Sequence, residues 1–240
     1  MQALALKDPM LKTLRRNFKN FKREIRHRRK ILNEAQAIAR AASGHSGPKI
    51  FIDCGFNQCK VMELFAGALP DFTFYGFEAN SIFKPQADNV KRRHKNVRDM
   101  HFAAVSTQDG ETSFFLAGAE TGPHIQEGST MVMNKDAHQT DFTKPTIVPT
   151  IDFSKWLKNL AGSLPAGQTP FVAIKMDIEG AEYDVLEDMV ARGTIGEIDY
   201  LMIEFHSYSF KGDEKTAYQN REHSLLDHLR ARELVLSQWF

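Results

Sequence analysis

Several features are scarce in this 240-residue chain, and each scarcity excludes a class of protein. Only two cysteines are present, Cys54 and Cys59, which are too few for a disulfide framework or a four-cysteine zinc site. No apolar run approaches the roughly 18 residues of a membrane span, and the start of the chain lacks the apolar core of a signal peptide. We therefore expect a soluble, cytoplasmic protein.

Net charge is also small, at +1, so the chain as a whole is not expected to attract nucleic acid or an anionic membrane. The average hides one strongly basic segment. From Leu11 to Lys30 there are ten Lys or Arg residues and one acid, Glu24. In residues 11–32, apolar residues recur at spacings of three and four, which predicts an amphipathic helix with a basic polar face.

The segment 41–48, rich in Gly, Ser and Ala, is interpreted as a linker, so residues 1–48 form a basic helical arm and residues 49–240 the main domain. Within that domain, apolar runs alternate with helical patterns. This order predicts an α/β fold, Rossmann-like, with a mostly parallel central sheet and helices on both faces. Core strands are predicted at 49–55, 72–80, 100–106, 171–180 and 198–206, and helices at 57–69, 81–95, 152–160, 181–192 and 221–232.

The segment 107–150 is much longer than a plain strand-to-helix connection requires. Connecting segments of such length usually carry function or are mobile. Beyond an extra strand at 112–118 it shows no clear period. We interpret this insert as a substrate lid, with His124, Ser129 and Thr130 as candidate substrate contacts.

The loop after the first strand, "DCGFNQC", contains one glycine rather than the G-x-G-x-x-G that lets backbone approach a pyrophosphate. A nucleoside ligand without phosphate fits better, and S-adenosylmethionine is one. Glu78, 23 residues after Gly55, is placed to accept hydrogen bonds from a ribose diol. The cofactor carboxylate can sit at the helix start near Asn57, and its ammonium group can meet Asp53 or Asp177.

Five stretches together resemble the FkbM-type methyltransferase family: "FIDCGFNQC", "FYGFEAN", "FAAVSTQDGETSFFL", "TIDFSKWL" and "IKMDIEGAEYDVLEDM" followed by "IDYLMIEFH". The resemblance implies S-adenosylmethionine as cofactor and O-methylation of a hydroxyl on a sugar, glycoconjugate or small molecule. It adds Ala104, near the adenine, to the expected cofactor contacts. Two positions depart from the family pattern: Phe56 stands where Ala is common, and Ala79 where Pro follows the ribose-binding acid.

Methyl transfer to a hydroxyl requires a group that accepts the hydroxyl proton. His206 is the first candidate because an unperturbed imidazole has a pKa of about 6.5, and Asp177 is the second. A third catalytic candidate is Glu204. Asp177, Glu204 and His206 also form a possible set of ligands for a divalent metal, but no metal is predicted. Glu182 is interpreted as an acid that favours the dipole of its helix.

Two alternatives to a small-molecule O-methyltransferase remain open on the sequence. The basic helix 11–32 can bind RNA phosphates, which would make the protein an RNA methyltransferase, although no base-flipping motif is present and nucleic acid is not the expected partner. The fold can also serve as a non-catalytic cofactor-binding module. The same helix can instead lie on a membrane surface or pack against protein, including a second subunit.

Overall fold

The computed structural model describes residues 9–118, 126, 128–135 and 140–239. A six-stranded parallel sheet lies at its centre, in the strand order β3-β2-β1-β7-β8-β9. Its strands are β1 (Lys49–Cys54), β2 (Phe72–Phe77), β3 (Val97–His101), β7 (Phe171–Met176), β8 (Tyr200–Ile203) and β9 (Val235–Gln238). The α/β, Rossmann-like prediction is confirmed.

Six α-helices accompany the sheet in the described residues: α1 (Pro9–Ala41), α2 (Lys60–Ala68), α3 (Lys84–Arg93), α4 (Phe153–Gly162), α5 (Glu182–Ala191) and α6 (Gly212–Arg230). Apolar residues of α1, α2 and α3 form one core cluster with one face of the sheet, and those of α4, α5 and α6 form a second cluster with the other face. Both faces of a parallel sheet must be covered in this way, because its strands are apolar on both sides. None of the described helices is long and apolar enough to cross a membrane.

The run at 100–106, predicted as one core strand, is divided in two. The core strand β3 begins earlier, at Val97, and ends at His101, and Ala104–Ser106 form β4 of a separate sheet. That second sheet has the order β4-β6-β5, with β5 at Gly110–Phe114 and β6 at Thr146–Asp152. Strand β6 lies where the sequence showed no clear hydrophobic periodicity, because one proline, two Thr residues and only two fully buried positions give a weak strand signal.

Two helices are much longer than predicted. Helix α1 extends to Ala41, and α6 begins at Gly212 rather than 221. At α4 the prediction was accurate, since Asp152 caps the helix by accepting a hydrogen bond from the backbone N–H of Lys155 at 2.8 Å.

The central strand β1 lies between β2 and β7, so the order of strands along the chain reverses there. In open parallel sheets, ligands bind beyond the carboxyl ends of the strands at such a point. The loops after β1, β2, β7 and β8 therefore bound the candidate site.

Candidate active site

Gly55 makes the close approach of two strand ends possible. Its φ is +85°, and a Cβ at this position would lie 1.9 Å from the carbonyl oxygen of Asp177. Any larger residue would push the loop after β1 away from the loop after β7. The single glycine of the "DCGFNQC" loop is therefore needed to bring these two loops together.

A buried ion pair lies beneath this junction. Lys175 Nζ is 3.1 Å from Asp53 Oδ1, 3.1 Å from the carbonyl oxygen of Gly55 and 3.5 Å from Asp177 Oδ2. Burial lowers the pKa of Lys175, but the two carboxylates more than offset that effect, so its pKa is raised and the amine stays protonated. Burial raises the pKa of Asp53, against the effect of Lys175.

Asp53 was predicted to contact the cofactor, but the structure gives it another position. Its side chain is fully buried, and it does not line either of the two cavities at the strand ends. Asp53 is the counter-ion of Lys175, which holds the two central strand ends together. Asp177, the other acid considered for the cofactor ammonium, is 25% exposed and lines both cavities.

Glu78 organises the loops on the other side of the junction. One carboxylate oxygen accepts a hydrogen bond from the backbone N–H of Asn57 and the other from that of Asn80, both at 2.8 Å. Burial raises the pKa of Glu78 to about 7, although these two hydrogen bonds oppose the shift. Glu78 therefore changes protonation near neutral pH.

A cavity opens beside Glu78 at the carboxyl ends of the central strands. Five of the predicted cofactor residues line it: Gly55, Asn57, Glu78, Ala104 and Asp177. Its other walls include the apolar side chains of Phe77 and Phe83. We name this space the first cavity.

The first cavity has the features that an adenosine-containing ligand requires. Apolar walls near Ala104 suit a base, and the carboxylate of Glu78 suits a ribose diol. Asn57 Oδ1 is buried and has no hydrogen-bond partner among the described residues, so it is available to a polar ligand group. Phe56 does not line the first cavity, because its ring packs edge-to-face on Phe102 in the space that Gly76 leaves.

Glu182 fixes the loop that follows β7. It is fully buried, and its carboxylate accepts hydrogen bonds from the backbone N–H groups of Ile178 (2.8 Å) and Gly180 (2.9 Å) and from His206 Nδ1 (3.0 Å). The sequence interpretation, an acid that merely favours the helix dipole, missed these contacts. The three bonds hold the loop in the turn in which Glu179 adopts a φ of +60°.

The surroundings of His206 favour its protonated form. Its ring is 3% exposed, with Nδ1 bonded to Glu182 and Nε2 3.3 Å from Glu179 Oε2. Burial lowers its pKa, but Glu182 and Glu179 outweigh burial and raise the pKa to about 9. The choice of His206 as base rests on an ordinary imidazole pKa, and Glu182 and Glu179 raise the pKa above that value.

A second cavity adjoins the first and contains the remaining catalytic candidates. Lys175, Glu204, His206 and Tyr208 line it, and it shares Gly55, Asn57, Asp177 and Glu179 with the first cavity. Tyr208 donates a hydrogen bond of 3.0 Å to Glu204, whose pKa is raised by burial and by the nearby Asp177. Asp177 and Glu179 are thus the acids that face both spaces.

The predicted insert contributes to the first cavity rather than to the second. Ser129 lines the first cavity, and its hydroxyl already bonds the carbonyl oxygen of Gln126 and the N–H of Ala117. Thr130 is fully buried and donates to the carbonyl oxygen of Glu179 at 2.7 Å. The hydroxyls of Ser129 and Thr130 are thus both hydrogen-bonded within the protein. The third candidate substrate contact, His124, lies outside the described residues.

Lys135, also in the insert, was not singled out from the sequence. It is 4% exposed and forms an ion pair with the carboxylate of Glu179. Through Thr130 and Lys135, the insert is bound to the backbone and to the side chain of the same loop residue. A lone Lys in a Gly- and Thr-rich stretch gives no signal of this contact.

Three groups lie close enough to hold a metal ion, with ligand atoms within 4.8 Å of one another: Asp177, Glu182 and His206. This set differs from the one considered on the sequence, since Glu182 replaces Glu204. Glu182 already accepts three hydrogen bonds, and His206 is held as a cation. Since a metal ligand must offer a free lone pair, these residues fit a metal poorly.

A comparison with protein-family models matches residues 53–234 to the methyltransferase FkbM domain. No curated protein and no solved structure matches the chain. The matched range contains every strand end of the site, from the first loop to the acids after β7 and β8. The match covers most of the chain, and the sheet has the Rossmann-like order with the site at its strand ends. The chain therefore belongs to the FkbM methyltransferase family.

Proposed function

We propose that the protein is an S-adenosylmethionine-dependent O-methyltransferase that acts on a hydroxyl of a sugar or glycoconjugate. The observation that carries the proposal is the position of Asp177, which lies at the boundary of two adjoining cavities. The first cavity suits the cofactor, which supplies an electrophilic methyl group on a sulfonium. The second is the space from which an acceptor can approach that methyl group.

The lining of the second cavity supports an acceptor rich in hydroxyls. Glu179, Glu204 and Asn57 accept hydrogen bonds, and the phenol of Tyr208 also takes part. Carboxylates are common partners of hydroxyl groups, and this supports a sugar-type acceptor.

We assign the proton transfer to Asp177 in place of His206. As the acceptor oxygen forms its bond to the methyl carbon, its proton passes to the carboxylate of Asp177. Lys175 Nζ, 3.5 Å away, and the His206 imidazolium, 3.9 Å away, hold that carboxylate in place. Glu204 lines only the second cavity, so it is placed to orient the acceptor.

The proposal is tested by calorimetry with S-adenosylmethionine and by mass spectrometry of glycan, lipid and RNA fractions incubated with isotopically labelled cofactor. The Asp177→Asn variant should lower turnover by about 10²-fold or more, the usual contribution of a general base. If Asp177 acts mainly on the cofactor ammonium, the variant should instead weaken cofactor binding. Asp213→Asn, an exposed substitution at the start of α6, is the matched control.

Each alternative has its own outcome in this experiment. Absence of cofactor binding by the native protein would reject the cofactor assignment. Cofactor binding without label in any fraction would support a non-catalytic module, and label confined to RNA would support an RNA methyltransferase.

A further inference from the structure

Helix α1 has two halves with different surroundings. Its C-terminal half packs on the domain through the buried residues Ile31, Ala35 and Ile38, and Tyr200 donates a hydrogen bond of 2.8 Å to Glu34. Towards its N-terminus the helix carries large apolar side chains that remain exposed: Phe18 (56%), Phe21 (58%) and Ile25 (50%). These three residues form the exposed stripe.

The exposed stripe is not a continuation of the face that packs on the domain. Its members are three and four residues apart, so they lie along one side of the helix. At about 100° per residue, the centre of the stripe is turned roughly 105° from the centre of the face formed by Ile31, Ala35 and Ile38. The stripe therefore lies mainly on a different side of the helix from the face that packs on the domain.

The exposed stripe lies in the most basic part of the chain. Residues 11–30 contain ten Lys or Arg and one acid. Lys22 Nζ lies 4.4 Å from the centre of the Phe18 ring, so charged and apolar groups are interleaved on this helix. Apolar side chains flanked by Lys and Arg are typical of helices that lie in the interface of an anionic membrane.

We propose that the N-terminal half of α1 docks on an anionic lipid bilayer, with the exposed stripe among the acyl chains and the basic residues at the headgroups. A second copy of this chain is a poorer partner, because two such helices would bring like charges together. RNA would satisfy the basic residues but would leave the apolar stripe in water.

The docking helix is close to the candidate active site. His27, about half a turn beyond Ile25, lines the second cavity together with Lys60 of α2. His27 is turned about 160° from Ile25 about the helix axis, so the second cavity lies on the side of α1 opposite the exposed stripe. Docking through the stripe would leave that cavity facing away from the bilayer.

The proposal is tested by co-sedimentation of the full chain with vesicles of pure phosphatidylcholine and with vesicles that also contain phosphatidylglycerol. We expect binding to the anionic vesicles only, and a decrease of at least tenfold in the partition coefficient when Phe18, Phe21 and Ile25 are all changed to Ser. These side chains are exposed, so the triple variant should keep the native melting temperature. Ile147→Ser, which changes an equally exposed apolar residue on β6, is the control and should bind as the native protein does.

Several results would overturn the proposal: no binding to anionic vesicles, equal binding to both kinds of vesicle, or unchanged binding by the triple variant. Sedimentation of the native protein as a dimer that the triple variant abolishes would assign the stripe to self-association. Binding of single-stranded RNA that displaces the vesicles and is unchanged in the triple variant would assign the helix to nucleic acid. Cofactor binding is measured in parallel, so failure of membrane docking is distinguishable from failure of the methyltransferase assignment.

Discussion

Glu182 shows how one buried side chain determines the chemistry of its neighbours. It binds two backbone N–H groups of the loop after β7 and the Nδ1 of His206. The loop carries Asp177 and Glu179, so their positions depend on a residue that lines neither cavity. We therefore regard Glu182 as a positioning residue.

The Glu182→Gln variant should lower the pKa of His206 from about 9 towards its ordinary value of 6.5. The amide lacks the negative charge that stabilises the imidazolium, and its NH₂ group opposes an N–H of the loop. NMR titration of the imidazole resonances measures the shift. Glu187→Gln, which alters an exposed partner of Arg221, should leave the pKa of His206 unchanged. An unaltered pKa in the Glu182 variant would contradict the assignment.

Glu78 gives a pH dependence to cofactor binding. Its pKa is raised to about 7 by burial, so the carboxylate becomes fully ionised only as the pH rises above that value. Because the ionised form is the better acceptor for a ribose diol, affinity for S-adenosylmethionine should increase between pH 6 and pH 8. Calorimetry across this range measures the increase. In the Glu78→Gln variant the affinity for the cofactor should be lower, and the dependence of that affinity on pH near 7 should disappear. If the variant keeps the pH dependence, another titrating group is its cause.

At the scale of secondary structure elements, the insert and the loop after β7 behave as one unit. Lys135 pairs with the Glu179 carboxylate, and the Thr130 hydroxyl bonds the Glu179 backbone. Since Ser129 and Gln126 line the first cavity, these contacts also fix one wall of that cavity. The insert was interpreted as a substrate lid, and its described part lines the first cavity.

Lys135→Met should release the insert from this loop. The affinity for S-adenosylmethionine should fall, on the order of tenfold, because the loop loses its ion pair with the insert and Glu179 keeps only His206, 3.3 Å away, as a cationic partner. Limited proteolysis should also cut the insert faster. Lys144→Met, which breaks an exposed pair with Asp141 in the same segment, is the control and should change neither measurement. Equal affinity in the two variants would mean that the pair does not hold the wall.

At the scale of the whole molecule, segments outside the matched range 53–234 complete the core. Helix α1 precedes that range, and β9 with Trp239 follows it. Trp239 is 1% exposed, packs near Phe65 of α2 and belongs to the same apolar cluster as Ile31 and Ile38 of α1. The two ends of the chain thus stabilise one face of the sheet together.

Trp239→Ala should destabilise the protein by about 3–5 kcal/mol, the usual cost of replacing a buried large aromatic residue with alanine. Its indole also lies 5.9 Å from Lys175 Nζ, so the variant should weaken cofactor binding through the loops that Lys175 holds. Urea denaturation measures the free energy of unfolding. Val235→Ala, at a half-exposed position of the same strand, should cost far less. Similar costs for both would show that Trp239 is not part of the core.

The sequence by itself determined four of the six strands of the central sheet, most of the helices and the acids at the strand ends, because these follow from local patterns of apolar residues and from turn chemistry. It placed β3 too late and did not predict β9. Glu78 and Asp177 were identifiable for that reason, as polar residues that end apolar strands. Only the tertiary structure decided which atoms meet. The pairs His206–Glu182 and Lys135–Glu179 join residues 24 and 44 positions apart, and no local pattern encodes such contacts. Burial and charge at those contacts move the pKa of His206 away from that of an ordinary imidazole, and residue type alone does not show this shift.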